Sequence, residues 1–184
     1  MIGLSLKGRL LVATPVLSDG IFDRSVVLVL EHGDEGALGL VLNRPSETAL
    51  AEPLPGWAPL AATPPVVFVG GPVRPEAAVC LARVRDEAVE GWTPLVAGVG
   101  SLDLSGDPDV ASAAVEELRV YAGYSGWSSG QLEDEIEAKA WFVVDIREDD
   151  VLTAEPDALW GAVLRRQRGN LSLYAAFPPD PSMN

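Results

Sequence analysis

Tyr121–Phe142, Y-A-G-Y-S-G-W-S-S-G-Q-L-E-D-E-I-E-A-K-A-W-F, carries the densest run of specific residues in the chain. A β-type run from Leu118 to Ala122 enters a stretch of glycines, aromatics and serines, and a helical pattern starts near Gln131. The segment therefore reads as strand, tight glycine turn and helix, with the next strand starting at Trp141. Ser128 and Gln131 fit a capping box, the serine accepting from first-turn amides and the glutamine reaching back to the cap. Leu132, Ile136 and Ala140 recur at i, i+4, i+8 and give the helix one buried stripe. Trp127 is expected beneath the turn, since an exposed indole would leave a large apolar area wet.

Outward from this stretch, Asp107-Pro108 reads as a helix start with an acidic cap, continued by Val110, Ala114 and Val115. Downstream, a helix from about Pro156 to Arg166 presents Leu159, Trp160, Val163 and Leu164 on one face, and Leu171 to Phe177 reads as a closing strand. Upstream, Arg9 to Ala13 is a strand ended by Thr14-Pro15. Val26 to Leu30 and Leu38 to Leu42 form an antiparallel pair around H-G-D-E-G-A, which suits a four- or five-residue hairpin. The prolines between Ser46 and Pro65 limit helix there, but Leu50, Leu54, Trp57 and Leu60 need burial, so this is an ordered excursion. Val66 to Val69 runs into Gly70-Gly71-Pro72 and returns as Ala77 to Val84, which contains Cys80; Val96 to Leu104 is a weaker β signal. Hairpin-linked strands, with helices only in the second half, indicate a mixed α+β domain.

The 184 residues, 48% hydrophobic, suit one domain spanning 1–184 with a loose C-terminal tail. One cysteine allows no internal disulfide, and the N-terminal residues lack the apolar core of a signal peptide, so the reading is a cytoplasmic protein without a membrane span. A net charge of −14 repels phosphate backbones and disfavours direct contact with nucleic acid.

No reaction is specified by the residues. G-Y-S-G-W lacks the final glycine of a nucleophile elbow, and the sole histidine, His32, precedes it in the chain. Cys80 in an apolar strand reads as packing, and His32 as a structural ring hydrogen-bonded near its loop. One cysteine and one histidine cannot build a zinc site, the acids of Glu133–Glu137 complement their helix dipole, and no glycine motif matches a phosphate loop, so no metal or cofactor is implied. Arg24 and Arg44 stand at loop junctions of a chain poor in cations, and the reading is that Arg24 braces Glu133, Asp134 or Glu135 as the loop Thr14–Ser25 packs on that helix. If the loops converge, Thr14, Asp19, Phe22, Arg24, Asn43, Arg44, Trp127 and Gln131 line one cleft.

Four stretches together resemble the YqgE/AlgH family of bacterial proteins: G-R-L-L-V-A-T-P-V-L-S-D-G-I-F-D-R-S-V-V from Gly8, H-G-D-E-G-A-L-G-L-V-L-N-R-P from His32, V-G-G-P-V from Val69, and G-Y-S-G-W-S-S-G-Q-L-E-D-E-I from Gly123. The resemblance spans about residues 8–168 and departs from the usual helical pattern over Ala51–Pro65. It implies an α+β fold whose mainly antiparallel sheet bends and splits into a partly open pseudo-barrel with a few flanking helices. It implies no defined reaction, and some members carry the label of transcriptional regulator. Three functions are compatible with these residues. The leading one is a non-catalytic binding or regulatory protein acting through an as yet unidentified protein partner. The second is a small-molecule binder or an enzyme using the cleft, and the third a DNA-binding regulator using Arg165, Arg166 and Arg168. The sequence leaves the oligomeric state open.

Overall fold

The computed structural model describes residues 3–17 and 20–176. β1 (Leu10–Ala13) pairs with β2 (Val26–Gly33), which returns as β3 (Gly36–Val41). The hairpin between them closes on a Gly33–Gly36 pair and is tighter than expected, with only Asp34 and Glu35 in the turn. β4 (Pro45–Ala49) and β5 (Val66–Val69) form a side pair, followed by β6 (Val73–Val84), β7 (Trp92–Val96) and β8 (Val99–Leu102). The one-turn helix α1 (Pro108–Ala111) leads into the longest strand, β9 (Val115–Ser128); α2 (Gln131–Glu137), β10 (Trp141–Val144) and α3 (Leu159–Arg165) complete the fold.

Across the sheet the order is β10-β1-β2-β3-β9-β6-β8-β7, with β5 lying parallel to β9 off this path and the other pairings antiparallel. Leu10 and Val144 from one end share a buried cluster with Leu81 and Val99 from the other, so the sheet curls into a half-barrel around them. The side chains of α3 expected on its apolar face, Leu159, Trp160, Val163 and Leu164, fill this concave side. Alternate residues of the same strands, Leu11, Ala13, Val27 and Val29, point the other way and meet Leu132 of α2 and Ala140 just after it, as the period-2 pattern of a two-faced strand requires. A third cluster joins Leu50 and Trp57 of the proline-rich excursion to Cys80, Leu118 and Val120. Full burial of one such leucine contributes about 1.5–3 kcal/mol. Among the described residues no helix is long and apolar enough to cross a membrane.

The glycine run is where the sheet divides, and here the sequence reading needs correcting. Gly123 and Gly126 lie within β9, not in a turn; the turn is Ser129–Gly130. The first part of β9 pairs with β6, and its last residues, Ser125–Ser128, switch to β3. At the branch Gly123 adopts φ 72°, and a β-carbon there would stand 2.6 Å from the Gly71 carbonyl oxygen. The two glycine motifs thus interlock backbone against backbone, with Gly70 N–H donating to Ala122 O at 2.9 Å and its own carbonyl accepting from Val41 N–H at 2.9 Å. The capping box is half formed: Gln131 Oε1 accepts from Ser128 N–H at 3.0 Å, but the Ser128 hydroxyl donates to the same oxygen and Gly130 occupies the cap. Val115 begins β9 instead of continuing α1, because only the four residues after the Asp107 cap are helical. Leu171 belongs to a 3-10 segment, Gly169–Ala176, packed on α3, so the expected closing strand is absent there, and Phe177 lies outside the described residues.

Candidate functional site

Two junctions of the half-barrel bring the chain's scarce cations together. Asn43, just after β3, accepts from Val26 N–H through Oδ1 (3.0 Å) and donates through Nδ2 to the Arg24 carbonyl (2.9 Å). These bonds clamp the entrance of β2, where Arg24 holds the left-handed φ of 53°. Arg44 Nη2 donates to the Asp23 carbonyl at 3.2 Å. The Arg24 guanidinium lies 4.7 Å above the ring of Trp160, whose indole N–H is anchored on Ala13 O at 2.9 Å. On the next turn of α3, Arg165 folds back over Gly161: a β-carbon at that glycine would come within 2.9 Å of Nη1. Asp23, Arg24, Asn43, Arg44, Asp157, Trp160 and Arg165 accordingly line one cleft of about 450 Å³. Among the described residues, three arginines and two aspartates line it, in a chain of net charge −14.

Of the eight residues expected in one cleft, Arg24, Asn43 and Arg44 are brought together here. Thr14, Phe22, Trp127 and Gln131 go elsewhere, and Asp19 lies outside the described residues. Thr14 pins the end of α2, its Oγ1 donating to Lys139 O (2.7 Å) and its N–H to Ala140 O (3.0 Å). Phe22 packs against Trp127 and Trp141, at ring separations of 6.5 and 5.6 Å. Trp127 is 7% exposed, as its size required. Gln131 donates to Glu135 at 3.1 Å.

The expected Arg24 brace on α2 is also corrected. The loop does reach α2, through Thr14 and Phe22, but two of that helix's carboxylates are taken by other donors. Glu135 receives Trp127, Trp141 and Gln131, and Glu133 receives His32. Arg24 is turned instead to α3, over Trp160.

His32 and Cys80, the two residues weighed for catalysis, are both committed to structure. His32 Nδ1 accepts from Leu6 N–H at 2.9 Å, so Nε2 carries the proton and donates to Glu133. Cys80 is 3% exposed, and burial pushes its thiol up to about 12. A thiol so protonated is a poor nucleophile near neutrality.

Two buried charges escaped the sequence reading. Arg119 is 2% exposed, stacks 4.2 Å above Phe68, and donates to Val151 O (3.1 Å) and Thr63 O (2.7 Å). Desolvation lowers its pKa. Its alternation with Leu118 and Val120 within a β run was the available signal. Asp150 forms a two-pronged pair with Arg166 at 2.7 and 2.6 Å. Arg166 is thereby withdrawn from the basic cluster offered for DNA, and Arg165 is turned over Gly161.

Fold and site together define an α+β half-barrel with a guanidinium-lined cleft where its concave side meets the last helix. The chain belongs to the AlgH-like family, whose model matches residues 10–172. It is 48% identical over 185 residues to a UPF0301 protein of Streptomyces avermitilis, covering 98% of this chain and 96% of that one. A UPF0301 protein of Mycobacterium tuberculosis is 50% identical over 181 residues, covering 96% and 90%. Among solved structures, a Corynebacterium diphtheriae protein matches with a TM-score of 0.86 at 32% identity, covering 93% of this chain and 92% of that one. The AlgH protein of Pseudomonas aeruginosa matches with a TM-score of 0.70 at 30% identity, covering 95% of each.

Proposed function

We propose that this protein is a non-catalytic binding or regulatory protein that works through contacts with a protein partner, and that the contact runs through the Arg24–Arg44–Arg165 cleft. The convergence of three arginines on one cleft carries this reading. Arginine is among the residues that most often dominate binding energy at protein interfaces, because it combines a large flat contact surface with directed donors. His32 and Cys80, held by Leu6, Glu133 and burial, supply no base or nucleophile to this cleft.

The test is native mass spectrometry of the protein purified from its own host, beside an Arg165→Glu variant. Arg165 is exposed, so the substitution is expected to leave the melting temperature close to that of the wild type. A partner held by the wild-type protein and released by Arg165→Glu is the expected result. A partner held equally by both overturns the cleft as the contact.

A further inference from the structure

We infer that a notch in the sheet beside β6 receives a short, extended, positively charged segment of a partner protein, which adds to β6 as a strand. The notch is separate from the Arg24–Arg44–Arg165 cleft, and the inference stands whether or not that cleft is a contact.

The notch comes from a mismatch of strand lengths. β6 runs for 12 residues and pairs with β9 on one side from Val73 to Val84, apart from two bulges. On its other side β8, four residues long, covers only Leu81, Ala82 and Arg83. The hydrogen bonds show which main-chain groups this leaves uncovered. Ala122 O accepts from Gly70 N–H, so Ala122 turns its amide edge away from β6. Its cross-strand neighbour Ala78 therefore holds a non-hydrogen-bonded position of the β6–β9 ladder, and directs its N–H and C=O to the side that β8 does not reach. Ala82, of the same parity, points the same way, its carbonyl accepting the Trp92 indole N–H from β7 at 3.0 Å.

An uncovered strand edge is a template for another strand, and sheets guard such edges with prolines, charges or bulges. β7, at the end of the sheet, carries Pro94, and the first part of β6 carries Pro75 inside the bulge between Val73 and Ala78. Ala78 is exposed and lies past that bulge. Beside it is a hollow of about 530 Å³ whose walls include Cys80, Trp92, Thr93, Leu102 and Asp103.

The geometry and the charge select the occupant. An extended main chain supplies the donor and acceptor that match Ala78, as in other cases of strand addition. The segment is short, because the hollow ends where β8 begins. A second copy of β6 laid antiparallel about Ala78 would need the place opposite Ala82, which Gly100 already holds. The hydrogen bond from Ser105 N–H holds the exposed Asp103 carboxyl below its ordinary range, so a negative charge stands on the wall near neutral pH. Glu76 is exposed on β6 itself, and the chain carries a net charge of −14. Lysine or arginine on the segment complements that field, while Leu102 and Trp92 offer an apolar seat to the residues between.

The probe is a five-residue peptide of alternating lysine and valine, blocked at both ends and titrated into the purified protein while the amide resonances are followed. The expected result is a shift centred on Ala78, and binding weakened about tenfold when the three inner residues of the peptide are N-methylated, the scale of one or two hydrogen bonds. N-methylation leaves the charge in place, so equal binding of the two peptides would show attraction by charge alone and overturn the strand addition. The same peptide with glutamate for lysine is expected to bind at least tenfold more weakly, and equal binding overturns the charged class of partner. Ala78→Pro removes the donor from the protein at an edge where proline is tolerated, and is expected to weaken the lysine peptide by a similar factor. Silence of Ala78 at millimolar peptide, or shifts gathered around Trp160 instead, overturns the notch as the site.

Discussion

The carboxylate of Glu135 accepts the indole N–H of Trp127 at 2.9 Å. The same oxygen, Oε2, accepts the indole N–H of Trp141 at 2.8 Å, while Oε1 holds Gln131. One side chain of α2 thus ties the end of β9 to the start of β10, and the two rings meet edge to face at 6.1 Å with Phe22 against both. Removing the acceptor leaves two nearly buried indole donors unpaired. Glu135→Ala is expected to cost about 3 kcal/mol and Glu135→Gln, which keeps an acceptor oxygen, about 1 kcal/mol. Urea unfolding followed by tryptophan fluorescence measures both, and equal small losses would mean that water replaces the carboxylate.

Among the described residues, Asp150 and Arg166 form an ion pair in which both side chains are largely covered, at 3% and 15% exposure. Asp150 Oδ2 also accepts from Arg147 N–H at 2.7 Å, so the carboxylate closes its own loop as well as holding α3. Asp150→Ala is expected to lose about 3–5 kcal/mol, because the arginine is left buried without its partner. Adding Arg166→Met should recover part of that loss. A double variant whose loss equals the sum of the singles would show that the pair is not coupled.

Gly123 and Gly130 have nearly the same dihedral, φ 72° and 75°, but different surroundings. A β-carbon at Gly123 meets two carbonyl oxygens within 3 Å, those of Gly71 and Val73; at Gly130 it meets nothing within 4 Å. Gly130→Ala should therefore cost only the left-handed strain, about 1–2 kcal/mol. Gly123→Ala should cost well over that, or prevent folding, since it forces the two glycine motifs apart. Thermal melts of the two variants decide it, and equal losses would refute the interlock.

The hydrogen bond from His32 holds the Glu133 carboxyl below its ordinary range. A depressed folded pKa contributes stability that is full above the unfolded value, about 4.3, and is lost as pH falls through the lower folded value. Because the Glu133 side chain is half exposed, the contribution is screened and stays below about 1 kcal/mol. The gap in stability between wild type and Glu133→Gln should be constant near neutrality and close in the acid range. A gap that persists at pH 2 would assign it to something other than ionisation.

The strands and the apolar face of α3 were legible in the residues because a period of two or of 3.6 is a local property of the backbone, readable wherever one face is buried. Leu132, Trp160 and the Val26–Leu30 run needed no partner to be recognised. The glycines of G-Y-S-G-W were misread because a positive φ serves a turn and a strand crossing equally well. Which of the two Gly123 makes depends on Gly71, over 50 positions away in the chain. The run from Leu171 to Ala176 was misread because a short apolar run suits a strand or a helical turn, and packing against α3 chose the latter. For Arg24 the sequence determined that a cation in so acidic a chain would be placed with care; it could not say against which helix. Tertiary structure decided that, since the half-barrel carries α2 on its outer face and α3 on its inner one, and the entrance of β2 opens toward Trp160. The same curl decided the site, because Arg24, Arg44 and Arg165 share no local pattern and become neighbours only when β2, β3 and α3 close around one core.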